Sequence, residues 1–166
     1  MTALQSQTVW DIYNLIARYA ELVDEGDFDG VGALFARASL TFSPGGIALY
    51  GASEVADFYQ RVIRIDHASG TPRTVHRTYN SIVTPTPGGW QARSRYDVLQ
   101  RVNDSEVKLV AYGRYFDTFQ LISETCCFKA RKVVSEFLGD TERHISEPAL
   151  RRNASVRGDT FSTHSQ

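Results

Sequence analysis

From residue 74 to residue 134 the chain is a succession of long alternating runs broken by short turns, and this limits the folds open to it more than any other feature. Strands are expected over residues 74–84, 89–102, 106–121 and 125–134. The first two are divided by Pro85-Thr86-Pro87-Gly88 and the next by Asn103-Asp104-Ser105. In the second run Trp90, Ala92, Ser94, Tyr96 and Val98 share one face, while Gln91, Arg93, Arg95, Asp97 and Arg101 fall on the other. That is the pattern of an antiparallel sheet packed on one side and wet, or at an interface, on the other. Its apolar side needs a cover.

The N-terminal third supplies one. Over residues 8–24, Val9, Ile12, Tyr13, Ile16, Tyr19, Ala20 and Val23 lie on or beside one helical stripe, with Thr8 and Asp11 placed as a capping box. Gly26 ends that helix, and Asp27-Phe28-Asp29 opens a shorter one through Val31, Leu34 and Phe35. Residues 39–42 and a run ending at Tyr50 form a hairpin across Ser43-Pro44-Gly45-Gly46. Ser53 is then expected to cap a helix that buries Val55, Phe58, Tyr59, Val62 and Ile63. Helices followed by a meander make an α+β domain over residues 5–138, and the polar, aperiodic residues 139–166 read as an accessory or disordered tail.

With 18 Lys plus Arg against 19 Asp plus Glu, the net charge of −1 provides no field of one sign to hold nucleic acid or an anionic membrane. No apolar run approaches a membrane span, and the first residues lack the basic and apolar parts of a leader, so a cytoplasmic protein is expected. Cys126 and Cys127 are strand neighbours pointing to opposite faces, poorly placed to bridge. Phosphate-binding glycine loops, zinc spacings and a nucleophile elbow are all missing, and His67, His76, His144 and His164 are dispersed. Neither a metal nor a cofactor is expected. The partner is instead a small molecule, for which an aromatic content of 11% can furnish a pocket wall.

Two polar residues bear on chemistry. Asp24 follows Val23 closely enough to lie near the apolar stripe of its helix, where a carboxylate needs a partner. Strand alternation sets His76 with Thr74, Thr78 and Asn80 on one face and leaves Val75, Arg77 and Tyr79 on the other. If the helix crosses a curved sheet, His76 reaches Asp24, and a carboxylate that orients an imidazole makes a general base usable near neutral pH.

A long helix ending in Tyr19-x-x-x-x-Asp24-x-Gly-Asp, a second ending in Leu34-Phe35, a strand bearing His76-x-x-x-Asn80, and the late run from Gly113 to Phe119 together resemble the SnoaL-like branch of the nuclear transport factor two-like superfamily. The resemblance implies a cone, in which a strongly bent antiparallel or mixed sheet wraps the helices around a deep apolar pocket. It implies an Asp24–His76 pair in the positions where the family's lyases remove a proton, and Tyr19 in contact with substrate. The expected activity is that of a lyase, isomerase or cyclase working without a cofactor on a small, largely apolar cyclic metabolite. The alternative is a non-catalytic module, either the β subunit of an aromatic-ring dioxygenase or a binding protein. Tyr13, Tyr19, Tyr50 and Tyr96 are the expected pocket wall. Departures are expected too: Cys126 or Cys127 stands where relatives carry an aromatic residue, and no second pocket histidine of the scytalone dehydratase kind is expected. Arg131 reads with Lys129 as a solvent or interface charge. Such cones pair through their sheets, so a homodimer using the Arg93, Arg95 and Asp97 face is expected.

Overall fold

The apolar stripe of the first helix is longer than its capping signal suggests. In the computed structural model, which describes residues 3–146, helix α1 spans Ala3–Glu25 and buries Ile12, Ile16, Tyr19 and Val23. Thr8 is therefore no cap; it lies buried inside the helix, because the preceding residues contain nothing that breaks one. The far end closes as a Schellman turn. Gly26, at φ +76°, donates to the Val23 carbonyl at 3.2 Å, and Asp27 N–H donates to Leu22 at 3.0 Å. Asp27 then caps α2 (Phe28–Leu34), its carboxylate accepting the Gly30 N–H at 2.9 Å.

Strands β1 (Ser39–Ser43) and β2 (Ile47–Tyr50) form the expected hairpin, and helix α3 (Gly51–Val62) follows without a break. Ser53 sits inside α3 rather than at its cap, its hydroxyl donating to Asp57 at 3.4 Å. The Glu54 carboxylate instead accepts the Tyr50 N–H at 2.8 Å. The long strands are β3 (Thr74–Thr86), β4 (Gly89–Arg101), β5 (Val107–Ile122) and β6 (Thr125–Leu138).

The sheet order is β2-β1-β6-β5-β4-β3, antiparallel throughout except that β1 runs parallel to β6, so the sheet is mixed and open, with β2 and β3 at its edges. Register shifts interrupt β3/β4 between Tyr79 and Ile82, β4/β5 between Val98 and Leu99, and β5/β6 between Thr118 and Phe119. Each bulge bends its strand and increases the twist. The bending is what lets α1 pack against both β3 and β6, which lie three strands and roughly 14 Å apart in a flat sheet. The result is the expected α+β cone.

The expected tail has to be redrawn at its start. Residues 139–146 fold back over the open end of the cone. Gly139 N–H donates to Val110 at 2.9 Å, Ile145 bridges to Ile63, and Ser146 N–H caps the Val62 carbonyl at 2.7 Å. This strap has no sequence period because its backbone bonds go to Val62, Arg64 and Val110 or close a single turn on Thr141, rather than running along a helix or long strand. The remainder of the expected tail, residues 147–166, lies outside the described residues.

Candidate functional site

Two concavities compete for attention. A wide cleft of about 700 Å³ is walled by charges of both signs, among them Arg64, Asp66, Arg101, Asp140 and Arg143. A smaller, largely apolar cavity of about 150 Å³ lies inside the cone, between α1, α3, the strap and the concave face of the sheet. An apolar hollow with a few convergent polar groups is the better form for a small-molecule site, and only the second contains His76.

The backbone explains why Asp24 and His76 meet there. The Schellman turn ends α1 one residue after Asp24, and β3 starts at Thr74 directly beneath it. Asp24 Oδ1 accepts from Thr74 Oγ1 at 2.7 Å and lies 2.6 Å from His76 Nδ1, while Oδ2 accepts the His76 backbone N–H at 2.8 Å. Burial pushes the Asp24 carboxyl upward, but the bonds and charge of His76, with help from Thr74, outweigh it and hold Asp24 below the ordinary carboxylate value of 3.8. An ionised Asp24 fixes the proton on Nδ1 and leaves Nε2 as the basic nitrogen of a ring lining the cavity.

A second imidazole stands beside the first. The strap puts His144 in the cavity wall, 7% exposed, with its ring centroid 6.1 Å from that of His76. The expectation of no second pocket histidine is thus corrected; the signal was missed because a lone polar residue in an aperiodic segment reads as tail. Burial first, and then the nearby His76, push its pKa down to about 3, Asp24 opposing only weakly, so His144 is neutral at physiological pH.

Of the expected tyrosines, two reach the cavity. Tyr19 is 3% exposed and shares a hydroxyl–hydroxyl hydrogen bond with Tyr59; Tyr96 bonds Ser135 at 3.0 Å, and burial pushes its hydroxyl up to about 12. Tyr13 and Tyr50 stand elsewhere. Tyr13 lies about 100° around the helix from Ile12, half exposed, with its hydroxyl on the Ser81 carbonyl at 3.4 Å. Tyr50 is 64% exposed because β2 turns Ile47 and Leu49 inward and Ala48 and Tyr50 outward. Tyr115 and Tyr59, which the sequence does not assign to the pocket, also line it.

Arg131 is the largest correction. It is fully buried, its Nε and Nη2 both 2.8 Å from the two carboxylate oxygens of Asp117, with Tyr19, Tyr115 and Phe128 ring centroids 4.2, 4.3 and 4.8 Å from its guanidinium carbon. The reading that grouped it with Lys129 assumed unbroken alternation. The register shift carries pairing from Phe119–Phe128 directly to Thr118–Ala130, leaving Lys129 in a bulge and turning Arg131 inward. The available signal was on the neighbouring strand, where Gly113, Tyr115, Asp117 and Phe119 share one face. A buried Asp117 there requires a buried cation.

Among the described residues no group of three or more His, Cys, Asp or Glu is placed to hold a metal ion, and no helix is long and apolar enough to cross a membrane. Residues 5–132 match the SnoaL-like domain family. No curated protein sequence matches. Among solved structures, ActVI-ORFA from Streptomyces coelicolor is similar at 14% identity and TM-score 0.64, covering 77% of this chain and 96% of that one. An NTF2-like protein with a cystatin-like fold from Novosphingobium aromaticivorans is similar at 19% identity and TM-score 0.67, covering 89% of each chain. A protein of the same organism whose name links it to scytalone dehydratase gives 20% identity and TM-score 0.61, with 84% of this chain and 91% of that one covered. At these identities the likeness is one of fold.

Proposed function

The chain belongs to the SnoaL-like domain family, and on that footing we propose that it is an acid–base lyase, isomerase or cyclase acting on a small, largely apolar, cyclic molecule held inside the cone. The observation that carries this reading is the Asp24–His76 pair, hydrogen-bonded at 2.6 Å at the wall of an apolar cavity. Nε2 of His76 takes a proton from the substrate, and Asp24 stabilises the imidazolium through Nδ1–H. The same proton then returns, either to a departing hydroxyl that leaves as water or to a different carbon. No cofactor is needed for either transfer. A cavity of about 150 Å³ suits a molecule built on one ring.

A second reading is favoured by one specific observation. Asp24 accepts from Thr74 and the His76 backbone as well as from the imidazole, and this clasp sews β3 to α1 whether or not chemistry occurs. In that reading the domain is a binding module. Turnover of a panel of small cyclic hydroxyketones by the purified chain separates the two. The catalytic reading expects His76→Gln to lower kcat/KM by about 10²- to 10⁴-fold while the circular dichroism spectrum is retained. Undiminished turnover in that variant, or binding without turnover by the wild type, sinks it.

A further inference from the structure

Three pairs of the cavity's polar groups satisfy one another. Tyr19 pairs with Tyr59, Tyr96 with Ser135, and His76 with Asp24. His144 makes no side-chain hydrogen bond among the described residues, and its Nδ1 is sealed from water without a partner. The ring is also rigidly delivered. Its own N–H donates to Thr141 at 3.0 Å, its carbonyl accepts from Arg64 at 2.9 Å, and Ser146 N–H and Oγ tie the next turn to the end of α3. Leaving a buried imidazole unsatisfied on so fixed a backbone is unfavourable, and such groups in native structures call for an explanation. The strap also lies beyond residues 5–132, the part that matches the family.

We propose that His144 is a substrate-binding residue that donates a hydrogen bond to a carbonyl oxygen and thereby selects cyclic ketones whose α-carbon faces His76. The proposal rests on the acid–base reading above and specifies its substrate class. A carboxylate in this position would meet the ionised Asp24 in an apolar cavity, whereas a carbonyl needs only one neutral donor. Rings whose centroids are 6.1 Å apart can between them hold a carbonyl oxygen and an α-hydrogen, which are three bonds apart. When the α C–H bond breaks, the proton goes to His76 Nε2, and its electron pair becomes the new C=C bond as the carbonyl π pair moves to oxygen. The His144 N–H meets the charge that forms there.

The test uses cyclohexanone and methylenecyclohexane, which have similar shapes and differ in the oxygen. Their dissociation constants are measured by NMR titration of the full chain, for wild type, His144→Phe and His144→Gln. α-Deuterium loss from cyclohexanone-2,2,6,6-d4 is followed in parallel, with His76→Gln added. The ketone-to-alkene affinity ratio should fall about 3- to 10-fold in His144→Phe and recover in His144→Gln, which keeps a donor. A ratio unchanged by His144→Phe, with exchange still dependent on His76, overturns the His144 assignment and leaves the acid–base reading standing. A ratio that falls while exchange is absent supports the His144 contact and overturns the acid–base reading. Failure of both probes to shift cavity resonances overturns both.

Discussion

Replacing His144 by phenylalanine should make the fold less sensitive to acid, and the size of the effect follows from its surroundings. The imidazole titrates at 6.5 when free and at about 3 in the folded chain, where burial and then His76 hold it neutral. Between those values the unfolded chain takes up a proton that the native chain refuses. The stability contributed by this group is therefore fully present above 6.5 and drains away as pH falls toward 3. At about pH 4.5 the unfolded ring is almost fully protonated and the native ring still neutral, which removes about 2–3 kcal/mol relative to pH 7 at about 1.4 kcal/mol per pH unit. Asp24, held below 3.8, loses its contribution only at lower pH and is common to both proteins. Urea unfolding followed by far-ultraviolet circular dichroism, at pH 7 and about pH 4.5, measures the difference. Wild type should lose about 2–3 kcal/mol more than His144→Phe; parallel losses would mean that the native ring accepts a proton, and would refute the burial argument.

Three further outcomes are expected. Arg131→Met strands the Asp117 carboxylate where both partners are wholly buried, and should destabilise by about 3–5 kcal/mol, most of it recovered in Arg131→Met/Asp117→Leu; chemical denaturation distinguishes this from simple loss of packing, which the double variant would not repair. Tyr13→Phe and Tyr50→Phe should change stability by less than about 0.5 kcal/mol and leave cyclohexanone affinity untouched, whereas Tyr96→Phe, which frees Ser135, should alter that affinity. The outer sheet face carries half-exposed Leu109, Tyr112, Phe116 and Phe137 among the ion pairs Arg77–Asp97 and Arg95–Glu136, and we propose that it pairs with a second copy. Sedimentation should then give a dimer for wild type and a monomer for Phe116→Glu, and a wild-type monomer at all concentrations would contradict it.

What could be read from sequence was whatever obeys a period. The stripe Ile12, Ile16, Tyr19, Val23 orients α1, and two-residue alternation turns Thr74 and His76 inward, so the clasp on Asp24 follows from two periodicities meeting. The misreadings come where a period breaks. One bulge at Lys129 reverses the face of Arg131 and brings its guanidinium against Tyr19 and Tyr115. Tyr13 fails by a rotation of about 100°, a single residue's turn of helix. His144 was illegible for a different reason: its position is set by hydrogen bonds to Val62 and Arg64, some 80 residues earlier, and contacts of that kind leave no local trace.

The parallel pairing of β1 with β6 has a consequence for how the chain is made. Ser39 sits opposite Ala130 and Ser43 opposite Val134, so this edge of the sheet joins segments about 90 residues apart. Closing such a loop is entropically unfavourable before any contact rewards it, and topologies rich in distant pairings fold slowly. On the ribosome, helices α1 and α2 and the β1–β2 hairpin emerge long before the strand that completes them. Until residue 134 has left the exit tunnel, β1 keeps an open edge, and the nascent protein depends on that hairpin being short to avoid pairing with its neighbours.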